Sequence, residues 1–385
     1  MSLQLSKRSE GIVQAEIRIM TIECEKVGGI NLAQGVCDTG VPLPVASGAK
    51  KAIDEGINSY TRYDGLAELR QAIAKKISAY NGITADPETE ITVSAGSTGS
   101  FYCACLALLD PGDEVILFEP YYGYHVNTLL AADAVPRYVS LSMPELKFSV
   151  DDLEKAVTTK TKGIMICTPA NPSGKVFSEA ELKIIADFAI RHDIFVFTDE
   201  IYEYFIYDGA RHVSPGAMPE IADRTISIFG YSKTFSITGW RIGYSVCRRK
   251  WADMIGYVND LVYVCAPAPL QMGVASGINE LSPEYYHELC KEFKVKRDML
   301  CSALAVAGLP PIVPKGAYYV LADAVKLPGK NSKEKAMYLL EKTGVASVPG
   351  SAFYNNSDNN FIRFCFAKMD DVLDEACQRI KTLQL

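Results

Sequence analysis

Thr225-Ile226-Ser227-Ile228-Phe229-Gly230-Tyr231-Ser232-Lys233-Thr234-Phe235-Ser236-Ile237-Thr238-Gly239-Trp240-Arg241-Ile242-Gly243 is the stretch on which the reading turns. Its first five residues, β-branched or aromatic and closed by glycine, predict a short buried strand. A lysine then sits in a loop of small residues, with an arginine eight positions further on among apolar neighbours. A lysine withdrawn from water loses charge more readily, because burial penalises the ammonium form, and its neutral amine is a nucleophile. The arginine fork can reach an anion. The plain alternative is a solvated loop lysine. The length and composition of the segment favour the functional reading.

Working outward, the same rhythm of strand, loop and helix recurs. Ile194–Thr198 reads as a strand before Asp199-Glu200-Ile201-Tyr202, and Gly163–Cys167 as a buried strand before Thr168-Pro169-Ala170-Asn171-Pro172-Ser173-Gly174. Ile91–Ser94 is a strand followed by Ala95-Gly96-Ser97-Thr98-Gly99 and an apolar helix to Leu109; the turn Asp110–Asp113 leads into a strand at Glu114–Phe118. Residues 65–80 read as an amphipathic helix, and Ser178-Glu179-Ala180-Glu181 is a capping box opening a helix that ends near His192. This alternation predicts a mostly parallel α/β sheet. After about residue 280 the pattern changes: a polar helix over 283–303, strand-like runs at Ala317–Leu321 and Phe361–Ala367, and a last helix predict a smaller α+β domain. Residues 1–45 read as irregular, with prolines at Pro42 and Pro44. The expected division is 46–280 as the large domain, and 1–45 with 281–385 as the small domain and an N-terminal arm.

In an open parallel sheet, ligands gather beyond the carboxyl ends of the strands. The segments that follow the strands are therefore the places to look. Gly96, Ser97, Thr98 and Gly99 expose backbone N–H groups at a helix start, where the dipole favours an anion; a plain tight connection is the alternative. Asn171 lies in a rigid proline-flanked turn, and by itself reads as a turn asparagine. Asp199 ends an apolar strand, where a carboxylate is costly unless paired. It reads either as a cap or salt bridge, or as the partner of a cationic ring nitrogen.

These residues resemble the class I/II aminotransferases of pyridoxal 5′-phosphate (PLP) fold type I, in texture the aspartate, aromatic and kynurenine group. The resemblance runs from Asn31-Leu32-Ala33-Gln34-Gly35 to Phe361-Ile362-Arg363-Phe364, and Gly230–Gly243 fits the family's lysine signature. It implies a seven-stranded, mostly parallel sheet between helices in a large PLP-binding domain. It implies a Schiff base on Lys233, Asp199 on the pyridine nitrogen, and Tyr202 and Asn171 on the phenolic oxygen. It implies Tyr122 stacked on the ring, and Ser97, Thr98 and Arg241, with Ser232, around the phosphate. Tyr60 would reach the phosphate of the neighbouring subunit in a homodimer. Arg363 would clamp the substrate carboxylate, with Asn171 beside it and Gly35 offering backbone contact. The implied activity moves an amino group from an L-amino acid to a 2-oxo acid by a ping-pong route, with Lys233 as the proton-transferring base. One departure is Gly230, where many relatives carry serine; it weakens one phosphate contact.

Bulk properties narrow the field. The 385 residues are 48% hydrophobic and 22% charged, the composition of a globular chain long enough for two domains. A net charge of −7 argues against a nucleic-acid partner. No apolar run approaches the roughly 20 residues of a membrane helix. The opening MSLQLSKRSEG has no apolar signal core, and eleven cysteines without a ladder of spacings read as reduced thiols, so a cytoplasmic protein is expected. His125, His192, His212 and His287 have no paired spacing, and no metal site is expected. Ser47-Gly48-Ala49-Lys50, Ser357-Asp358-Asn359 and Lys342-Thr343-Gly344 match serine acyl-enzyme motifs, but in the wrong order. Elimination of β-substituents, as by a C–S lyase, shares the Lys, Asp and Arg set with transamination, so the motifs leave both open. A regulator on the same fold is disfavoured, because no DNA-binding domain fits before residue 30.

Overall fold

A computed structural model describes residues 4–6, 9, 11–12, 14–355 and 359–383. After a two-residue strand β1 (Ile30–Asn31), seven strands form one sheet: β2 (Ile91–Ala95), β3 (Glu114–Glu119), β4 (Val135–Ser140), β5 (Thr161–Cys167), β6 (Phe195–Asp199), β7 (Thr225–Gly230) and β8 (Ile242–Val246). Their order is β2-β8-β7-β6-β5-β3-β4. Every neighbouring pair is parallel except the two that β8 makes, with β2 and β7.

The strands read as unbroken apolar runs because helices cover both faces. Alternate residues feed two cores. Ile116, Phe118, Ile164, Ile166 and Val196 pack with Leu182, Ile185 and Phe188 of the helix Glu179–Arg191. Val115, Leu117, Met165, Phe197 and Ile228 pack with Phe101 and Cys105 of the helix Gly96–Leu108 and Ile255 of the helix Arg249–Tyr263.

A second, antiparallel sheet has the order β12-β13-β10-β9, from β9 (Pro311–Ile312), β10 (Tyr319–Asp323), β12 (Val348–Pro349) and β13 (Phe361–Cys365). The short β11 (Val345–Ala346) pairs parallel with β1 and ties the N-terminal segment to this unit. Its core joins Met20, Cys24 and Leu32 to Phe293, Leu300, Leu339, Phe364 and Leu373.

Three expectations need correction. The first 45 residues are not irregular: Glu16–Lys26 is a helix whose Met20 and Cys24 are buried, and a second helix, Leu43–Asp54, begins with Pro44 in its first turn, where proline's missing N–H costs nothing. The helix read over 65–80 is α-helical over Ala67–Lys76 and widens to a π-turn over Ile77–Asn81. The strands β4 and β8 were not anticipated, and β8 bears directly on the site.

Candidate active site

The carboxyl ends of β2, β5, β6 and β7 meet the second sheet across a cavity of about 470 Å³. Its wall includes Gly35, Ser97, Thr98, Tyr122, Asn171, Asp199, Tyr202, Ser232, Lys233, Arg241 and Arg363. Eleven of the twelve residues singled out from the sequence thus converge on one space. The twelfth, Tyr60, is 84% exposed and is not on this wall.

Lys233 follows β7 by three residues. Its Nζ donates to Gly35 O at 3.0 Å. Burial holds the amine below the usual lysine range, while Cys37 and Cys365 pull the other way; Arg241 lowers it further and Asp199 raises it. Gly35 must be glycine, since a Cβ there would run into the Tyr319 ring. Its carbonyl also accepts from Tyr318 OH at 3.2 Å.

Asp199 ends β6, and the cost of its burial is met by His125 Nε2 at 2.9 Å from Oδ2. His125 therefore is not isolated: it follows β3 within the run Tyr121–His125, where the rule of looking beyond each strand end also applies. His192 and His212 likewise face Glu154 and Glu200, at 3.0 and 2.8 Å. Among the described residues no cluster of three or more His, Cys, Asp or Glu side chains suits a metal ion.

Ser97 and Thr98 lie in the first turn of the helix Gly96–Leu108, an anion-binding position. Arg241 reaches the same corner because β8 runs antiparallel, so its start lies level with the carboxyl ends of its neighbours. Arg241 itself has φ +59°, and its Nη1 donates to Thr238 O at 2.9 Å. A Cβ on Gly243 would collide with the backbone of Gly96 and Ser97, which explains the glycine on β8 facing that helix start. At Gly230 a side chain would crowd Ile201 and the backbone of Ile242, a packing reason for the departure noted above.

On the opposite wall, Arg363 projects from the middle of β13 and is fully buried. Its Nη1 donates to Asn171 Oδ1 at 2.9 Å and its Nη2 to Ala33 O. Its guanidinium lies 4.3 Å from the centre of the Tyr319 ring, and its buried Nε has no partner. Among the described residues no carboxylate pairs with it. A buried cation without a counter-charge is costly, so this wall suits a ligand carboxylate. Tyr202 OH lies 2.9 Å from Tyr319 OH, and burial pushes the phenols of Tyr122 and Tyr202 well up.

The donor set fits PLP: an anion cup at one end, a carboxylate for a cationic ring nitrogen, an aromatic face at Tyr122 and a buried amine. The serine acyl-enzyme motifs do not assemble comparably. Ser47 and Lys50 are exposed on a helix outside the cavity wall, and Gly344, at φ +67°, is the C-cap of the helix Ser332–Thr343. Ser357 and Asp358 lie outside the described residues.

Known proteins resemble this chain over nearly its whole length. The family model for aminotransferase class I and II matches residues 27–380. The chain is 33% identical over 382 residues to an aromatic-amino-acid aminotransferase 2 of Thermococcus litoralis, covering 98% of each chain. It is 35% identical over 384 residues to an aspartate aminotransferase of Pyrococcus abyssi, again covering 98% of each. Among solved structures, the N-succinyldiaminopimelate aminotransferase of Mycobacterium tuberculosis superposes with a TM-score of 0.95 at 33% identity, over 99% of this chain and 100% of that one. The chain belongs to the aminotransferase class I and II family and is an aminotransferase of fold type I.

Proposed function

We propose that the protein moves an amino group from an L-amino acid to a 2-oxo acid, in two half-reactions at one site, with PLP held on Lys233. The observation that carries this reading is a single cavity lined by a buried lysine amine, the Asp199 carboxylate and a buried arginine without a counter-charge. When bound, PLP supplies a ring system that takes up the electron pair left at Cα as its C–H bond breaks.

The chain's own residues do the rest. Ser97, Thr98, Ser232 and Arg241 would hold the phosphate, and Asp199, steadied by His125, would hold a proton on the ring nitrogen. Tyr122 would cover one ring face, and Asn171 and Tyr202 would donate to the phenolic oxygen. Arg363 holds the substrate carboxylate through its fork, with Asn171 fixing the guanidinium, so that the Cα–H bond is the one aligned for cleavage. Lys233 Nζ, whose charged form burial disfavours, takes the proton from Cα.

We further propose a homodimer in which Tyr60 reaches the partner's phosphate site. Tyr63 rests edge-on against Tyr257 at 5.3 Å, which puts the Tyr60 segment beside the helix Arg249–Tyr263, where Leu261 is 85% exposed. The large unit would be 46–280 and the small unit 1–45 with 281–385. Eleven free thiols suit the reducing cytoplasm, and no helix among the described residues is long and apolar enough to cross a membrane.

The test is spectroscopic. Amino acids added singly to the purified holoenzyme convert its visible cofactor band to a pyridoxamine band, and borohydride followed by peptide mapping finds the reduced adduct on Lys233. Release of pyruvate with ammonia would point to elimination instead. An adduct on another side chain, or none, would refute the reading.

A further inference from the structure

Resting on the aminotransferase reading above, we infer that Arg18 determines side-chain specificity, pairing with the distal carboxylate of dicarboxylic amino and 2-oxo acids. Four charged groups of the cavity wall already have tasks: Lys233, Asp199, Arg241 and Arg363. Arg18 is a fifth, and among the described residues the only other arginine, lysine or acid on that wall. It is carried by the helix Glu16–Lys26, which anchors Met20 and Cys24 in the small core while Ala15, Ile17 and Arg18 contribute to the cavity.

Arg18 is not used structurally. Most described arginines join an ion pair, and Arg241 and Arg363 bond to backbone or amide oxygens. Arg18 and Arg211 have no such partner among the described residues, and of these two only Arg18 lines the cavity. The nearby acids on its own helix are engaged elsewhere: Glu16 with Lys333 at 3.1 Å, and Glu23 with Lys26 at 2.8 Å. The same cavity wall holds the uncharged Ile17, Gln34, Val36, Tyr122 and Tyr124, and its one acid among the described residues, Asp199, is already bonded to His125. A substrate pinned by its α-carboxylate on Arg363 leaves its side chain as the part free to meet Arg18, and a guanidinium recognises a carboxylate by two parallel hydrogen bonds.

The test compares unaltered holoenzyme with Arg18→Met and Arg18→Lys, using glutamate and aspartate as dicarboxylic donors and leucine and phenylalanine as apolar ones. In Arg18→Met the ratio of kcat/KM for glutamate to that for leucine falls about ten- to a hundred-fold, chiefly through KM, as expected for loss of a charged hydrogen bond made equally in ground and transition states. Arg18→Lys recovers part of the ratio. A ratio unchanged by the methionine variant, an equal fall for both donor classes, or an unaltered enzyme that does not use dicarboxylates would each overturn the assignment. Borohydride trapping on the same samples separates the two levels: an adduct on Lys233 with an unchanged ratio refutes Arg18 alone, whereas no adduct in the unaltered enzyme refutes the cofactor reading and Arg18 with it.

Discussion

Arg363 is a cation withdrawn from water and left with an amide, a carbonyl and two aromatic rings as company. None of these cancels its charge, so its binding energy is reserved for an anion. Replacing Arg363 with alanine is expected to lower kcat/KM for every amino donor by roughly 2–3 kcal/mol, about thirty- to a hundred-and-sixty-fold, in steady-state assays. Unchanged kinetics for all donors would remove Arg363 from carboxylate binding. At this scale the sequence was most informative for residues embedded in a local signature: Lys233, Asp199, Asn171 and Arg241 follow strands whose composition is plain. His125, Tyr319 and Cys37 were less legible, because their roles come from partners 74, 117 and 196 positions away.

Elements place these residues by how they begin and end. The capping box at Ser178 was readable because both of its hydrogen bonds are local, and the structure has both. The strand β8 was not, because nothing in Ile242–Val246 states that it runs back between β2 and β7. The turn beyond Asp199 is tied down from the other side. Asp208, at φ +54°, accepts from Arg297 Nη1 at 2.6 Å, and so joins this turn to the helix Pro283–Val306. The Arg297 guanidinium holds the Asp208 carboxyl down to about 2. A carboxylate whose folded value lies below its unfolded one stabilises the fold above the unfolded value and loses that contribution as pH falls through the folded one. Chemical denaturation between pH 5 and 2 should therefore show a smaller loss of stability for Asp208→Asn than for the unaltered protein; identical slopes would mean that the pair contributes nothing.

At the scale of the molecule, the N-terminal segment crosses from one unit to the other: β1 pairs with β11, while Gly35 meets Lys233. The exposed Leu261 and Tyr60 mark the face proposed for the second subunit. Leu261→Asp is expected to convert a dimer to monomer in analytical ultracentrifugation and to weaken PLP retention, since Tyr60 of each subunit would no longer reach its partner. A dimer of unchanged affinity would place the interface elsewhere. The sequence by itself determined five strands of the large sheet, the candidate lysine and carboxylate that follow two of them, and the family, because each is written in a short contiguous run whose apolar period, caps and small residues act locally. The family resemblance implied Arg363 at the site, but only the tertiary structure decided that Tyr319 and Arg18 share its cavity with Lys233. Their approach depends on long-range packing of a helix and a strand from opposite ends of the chain, and no local pattern encodes that distance.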